Sequence, residues 1–164
     1  MKQKIALMLL AKDFVLDWRR FNLVANYIAE YASYFFEHRD RAENVISSVL
    51  YELLEHMAAI SREDAGLSVK LRTLDGRVHF EISTSSPRPE ALEPSRKLLG
   101  ALGSADVSSL YREILEAPSI EPGQPGPLGL TMLAHDYRAR FSSTEDPSGA
   151  MTLLVTIGLE ELIP

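Results

Sequence analysis

An α+β fold, a two-layer α/β sandwich whose mixed sheet is covered on one face by helices, is what this sequence predicts. Apolar residues recur at spacings of three and four over two long stretches, and they alternate singly over several shorter ones. The helical stretches are grouped rather than interleaved with single strands, which disfavours a parallel doubly wound sheet.

Each element has its own signal. Ile5 to Ala11 is a short apolar run read as the first strand; Lys12, Asp13 and Asp17 interrupt it well before a membrane-spanning length, so it is not read as a signal peptide. Trp18, Phe21, Ala25, Ile28, Ala32 and Phe35 then fall on one stripe of a helix. Arg39, Asp40 and Arg41 break that pattern, and Val45, Val49, Leu53, Met57 and Ile60, widened by Ile46 and Leu50, mark a second helix ending near Ser61. Leu67, Val69 and Leu71 alternate with polar residues, Asp75-Gly76 supplies a tight turn, and Val78, Phe80 and Ile82 alternate again, which predicts a hairpin.

The stretch from Pro87 to Pro127 holds seven of the nine prolines and cannot form one regular element. Short helices are expected at Ala91 to Leu99 and Val107 to Leu115, with Pro118 to Pro127 a loop. A helix from Leu128 to Tyr137 follows, and two strands, Ala139 to Ser143 and Met151 to Ile157, are joined by the turn-rich segment Glu145 to Gly149. No internal repeat is found.

The 164 residues suit one domain, 1–164, and the mixture of 46% apolar and 24% charged residues is that of a folding globular chain. With no cysteine, disulfides, thiolate zinc sites and a cysteine nucleophile are excluded, and a reducing cytoplasmic location is expected. A net charge of −6 opposes attraction to nucleic acid or an anionic membrane, so a protein or nucleotide partner is expected. The four histidines lack ligand spacing. No Gly-x-Ser-x-Gly elbow accompanies Ser83 to Ser86, which argues against a hydrolase.

On the second helix Glu52 and His56 lie four apart on one face, with Glu55 on its flank. A polar flank of this kind is commonly plain solvated surface; what raises the alternative is the rest of the chain. The stretch from Ser48 to Ser61 resembles the helix carrying the Glu-xxx-Asn motif of the histidine-kinase-like ATPase superfamily, and Gly126-Pro127-Leu128-Gly129-Leu130 resembles its glycine box. The nearest likeness is to anti-sigma-factor serine kinases. Pro89 to Pro94, Leu110 to Leu115 and the final hairpin resemble an uncharacterised bacterial subgroup that includes a serine kinase of a phosphatase-kinase switch.

The resemblance implies the Bergerat type of sandwich, with residues 87–127 as a lid-like insert. It further implies an ATP and magnesium site in which Glu52 is the catalytic base, His56 stands at the metal-binding position, and Glu55, His56, Ser83, Ser85, Gly126, Leu128 and Gly129 line the nucleotide. Several of these positions depart from the family pattern. His56 replaces an asparagine and offers nitrogen to a cation that prefers oxygen. Ser83 to Ser86 lack the adenine-binding aspartate, and Pro127 replaces a glycine facing phosphate.

The departures lead to the expectation of a degenerate kinase-like fold acting through protein binding in a bacterial partner-switching system. The alternative is an active ATP-dependent protein serine kinase. Tyr27, Tyr31, Tyr34, Phe35 and Phe36 exceed what one core face can use, which leans toward a homodimer.

Overall fold

The computed structural model describes residues 3–104, 106–117 and 126–159. Its elements run β1 (Gln3–Leu10), α1 (Ala11–Leu16), α2 (Arg19–Ser33), α3 (Arg39–Ile60), β2 (Gly66–Leu74), β3 (Arg77–Thr84), α4 (Pro89–Ser104), α5 (Val107–Glu116), α6 (Leu128–Asp136), β4 (Arg140–Glu145) and β5 (Met151–Gly158).

The strands form one sheet in the order β1-β2-β3-β5-β4. Every neighbouring pair is antiparallel, so the sheet is not mixed as the sequence suggested. The helical passage between β1 and β2 brings the chain back beside β1 running the opposite way, and β5 enters between β3 and β4. The β2–β3 turn is the expected tight one, with φ of 50° at Asp75 and 71° at Gly76.

Strict alternation assigns one sheet face to the core. Leu67, Val69 and Leu71 of β2, Val78, Phe80 and Ile82 of β3, and Leu153, Val155 and Ile157 of β5 are buried, while the residues between them face outward. α3 crosses this buried face, and α2 and α6 pack beside it. Its 22 residues contain no proline or glycine, and ten of them, from Ala42 to Ile60, are buried. That agrees with the expected helical layer on one side.

Several boundaries differ from the reading of the sequence. Ala11 begins α1, a helix of six residues, too short to display a period. The first long helix starts after Trp18 and stops at Ser33, so Phe35 lies beyond it and is 40% exposed rather than in its core stripe. α4 runs from Pro89 to Ser104, longer than expected, with Pro89 in its first turn, where a missing N–H is tolerated, and Pro94 inside it with its side chain exposed. Most of the expected loop before α6, residues 118–125, lies outside the described residues.

The C-terminus of α3 is stitched to the end of β3. Ser61 pairs with Thr84 at 2.7 Å between hydroxyls, Arg62 N–H donates to the Ser86 carbonyl at 2.9 Å, and Arg88 N–H donates to the Ile60 carbonyl at 2.7 Å. These bonds start α4 beside the end of α3, which decides what faces the polar flank of α3.

Candidate functional site

Glu52, Glu55 and His56 lie within little more than one turn of α3, and the structure sends them to three environments. Glu55 is exposed. Glu52 is half-buried, and no hydrogen bond or ion pair to it forms among the described residues. Burial first, and the neighbouring Glu55 charge second, raise its carboxyl above the usual glutamate range. Its carboxylate lies against Gly129, in the first turn of α6: a Cβ at position 129 would come within 3.1 Å of the Glu52 carboxyl carbon. A side chain at position 129 would therefore have to push the Glu52 carboxylate, the far end of a flexible side chain, aside.

The start of α6 suits that neighbour. Pro127 precedes the helix with no side-chain cap, and the Pro127 carbonyl takes up the Thr131 N–H at 3.2 Å and the Thr131 hydroxyl at 2.7 Å. The first N–H groups of α6 are thus left for an anion, and the Glu52 carboxylate is close at hand.

His56 turns inward. It is 5% exposed, and its Nε2 lies 3.1 Å from the Ser95 hydroxyl of α4. Its Nδ1 is buried and has no hydrogen-bond partner. Desolvation lowers the imidazole to about 4, so the ring is neutral near pH 7. A magnesium ion does not fit here: a hard cation takes oxygen donors, and the side chain offers a buried nitrogen already engaged with Ser95. Among the described residues no group of three or more histidine, aspartate or glutamate side chains is placed to hold a metal ion.

The remaining positions separate. Gly126 and Leu128 lie at the entry to α6 beside Gly129, and Leu128 is partly exposed. Ser83 does not join them. It points to the outer face of the sheet and shares a hydrogen bond with Thr152 at 2.8 Å. Ser85 accepts from the Gly66 N–H at 2.9 Å and fastens the start of β2. The inward hydroxyl of β3 is Thr84, bonded to Ser61. The alternation Val78, Phe80, Ile82 already carried that signal, since the next inward residue is Thr84. Ser95 carried none, because a lone serine among prolines has no periodic context.

A five-stranded antiparallel sheet with one helical layer makes this an α+β protein whose most perturbed titratable groups lie between α3, α4 and α6. No family model matches the chain, and no curated protein matches it. Among solved structures it is similar to a chain of the SiaB–SiaC complex from Pseudomonas aeruginosa, with a TM-score of 0.57 and 17% identity over 84% of this chain and 82% of that one. At that identity the likeness concerns the fold. No helix among the described residues is long and apolar enough to cross a membrane.

Proposed function

We propose that this protein is a regulatory protein-binding module of a partner-switching system, built on a degenerate fold of the histidine-kinase-like ATPase kind. The observation that carries the reading is an apolar stripe left uncovered on α2. Leu23, 70% exposed, and Tyr27, 66% exposed, continue through Tyr31 and Tyr34 at helical spacing, with Leu16 and Trp18 exposed just before the helix. The opposite side of α2 already supplies Phe21, Ala25, Ile28 and Ala32 to the core, so the stripe is not needed for folding. Contiguous exposed apolar residues on a helix, rich in tyrosine, are typical of surfaces that meet another protein. The similar solved chain comes from a complex of two proteins, which supports the same direction.

The site between α3 and α6 supports recognition over catalysis. His56 is spent on a contact with Ser95, and Glu52 faces the start of α6. A homodimer through α2 is one form the contact can take.

Partner candidates are the products of adjoining genes, above all a small phosphorylatable domain. Replacing Leu23 and Tyr27 together by glutamate should abolish the complex, or the dimer, while the melting temperature stays unchanged. A complex formed equally well by the double variant sinks the reading.

One observation favours the rival, an ATP-dependent protein serine kinase: Glu52 is an unpaired, half-buried carboxylate with a raised pKa, the state of a general base. Melting with and without magnesium-ATP separates the two. A ligand present at a hundred times its dissociation constant stabilises by about 2.7 kcal/mol, and a flat response removes the kinase reading.

A further inference from the structure

The outer face of the sheet carries a second, unrelated feature. Arg77 opens β3 opposite Gly158, and Arg140 opens β4 opposite Thr156. Arg138 stands two residues before Arg140. These three arginines, with Thr156 and Gly158, line an open concavity of about 220 Å³. Gly158 contributes no side chain, which leaves the space beside Arg77 unfilled.

Among the described residues, no side-chain ion pair or hydrogen bond to any of the three arginines forms, although the protein has a net charge of −6. Further along the same face the contrast is direct. Lys70 and Arg72 share Glu81, at 3.4 and 3.8 Å, whereas no carboxylate among the described residues pairs with the three at the end of the sheet. The neighbouring His79 adds no charge of its own near pH 7. Burial, then Arg72 and Arg77, hold its pKa down, and its Nδ1 lies 3.0 Å from the Thr156 hydroxyl.

The backbone gives an independent sign. Arg138 follows the last turn of α6 with φ of 51°, in the left-handed region that favours glycine at a helix end. The Ala139 N–H returns to the Leu133 carbonyl at 3.2 Å and fixes that conformation. Glycine would serve the turn at lower conformational cost. An arginine held there, with its guanidinium lining a concavity beside two others, fits the pattern of local strain kept at a binding site.

From these observations we infer that Arg77, Arg138 and Arg140 form a binding site for a phosphate dianion, either free or carried on a side chain of another protein. The planar guanidinium fork matches phosphate oxygens in pairs, and three such groups around one concavity suit a compact dianion better than a single carboxylate. A nucleic acid backbone is a poorer match, because its long run of phosphates would be repelled by a chain whose net charge is −6. This site is independent of the α2 surface and of the contact between Glu52 and Gly129.

The test is a titration of the folded protein, followed through the backbone amide signals of residues 77, 138, 140 and 156. The probes are inorganic phosphate, a phosphoserine peptide, and that peptide without its phosphate. Saturable shifts are expected with the phosphate-bearing probes and none with the bare peptide. A phosphopeptide bound more tightly than inorganic phosphate identifies a modified protein as the source; equal affinity identifies free phosphate. Arg138→Gly is the informative variant because it relieves the backbone while removing the charge. Its melting temperature should hold or rise, and its affinity for phosphate should fall roughly tenfold or more. Arg140→Lys, which keeps charge but loses the fork, should fall less. Shifts that grow linearly without saturating, or a phosphate affinity that Arg138→Gly leaves unchanged, overturn the assignment.

Discussion

The Glu52 carboxylate on α3 and the backbone of Gly129 in the first turn of α6 are in direct contact, so that no side chain can be added at position 129 without displacing the glutamate. Alanine normally improves a helix over glycine by about 1 kcal/mol. Here Gly129→Ala is expected to gain about 0 kcal/mol, that helix gain being offset because the Glu52 carboxylate must swing aside. In a Glu52→Ala background the same change should become stabilising. Denaturant unfolding of the four proteins in this double-mutant cycle measures the coupling, and additive effects would show that the contact does not exist in solution.

The buried ring of His56 makes stability depend on pH. Its folded pKa is depressed from 6.5 to about 4, so the unfolded chain binds the proton more readily across that window. The contribution is therefore fully present above pH 6.5 and is lost as pH falls toward 4. At about 1.4 kcal/mol per unit the full effect is on the order of 3 kcal/mol. The raised carboxyl of Glu52 acts in the opposite direction on the acid side, since its folded form binds the proton more readily. The clean readout is thus the difference between wild type and His56→Gln. Unfolding measured from pH 4 to pH 7.5 should show the variant losing much less stability on acidification.

Among the described residues the Ser95 hydroxyl is the one hydrogen-bond partner of that ring. Ser95→Ala leaves both ring nitrogens buried and unpaired, with an expected cost of about 1–3 kcal/mol. Because the bond joins α4 to α3, amide exchange in α4 should accelerate more than exchange in β2 or β3. Equal acceleration throughout would show that the bond does not anchor the helix.

Two adjacent hydroxyls of β3 should behave differently. Thr84 is fully buried and bonded to Ser61, where α3 ends, so Thr84→Val removes that tie, although Ser61 keeps its bond to the Met57 carbonyl, and is expected to cost about 1–1.5 kcal/mol. Ser83 lies on the outer face, and Ser83→Ala should cost about 1 kcal/mol or less. Thermal unfolding of the two single variants checks the order, and a reversed order would place the strand in the opposite register.

Much of this architecture was legible residue by residue. The period of Val45 to Ile60 predicted α3, and the alternation around Asp75-Gly76 predicted the β2–β3 hairpin with its turn. α1 was not legible because six residues make fewer than two helical turns, and α4 was read too short at both ends because Pro89 sits among loop-forming residues and Gly100 reads as a helix end. Of the candidate site, Glu52 meets Gly129 while His56 turns to Ser95 of α4, and Ser83 was assigned on a likeness that its own alternation opposed.

What the sequence determined by itself is local: which segments are helices and strands, which side of each is apolar, and which residues are chemically able to act. Those properties follow from periodicity and side-chain chemistry and need no neighbours. Only the tertiary structure decided that the sheet is wholly antiparallel, that His56 meets Ser95 rather than a cation, and that Arg77, Arg138 and Arg140 share one concavity. Each depends on two segments far apart in the chain lying side by side. Burial, strand pairing and charge compensation belong to the assembled neighbours and are not carried by any single stretch of residues.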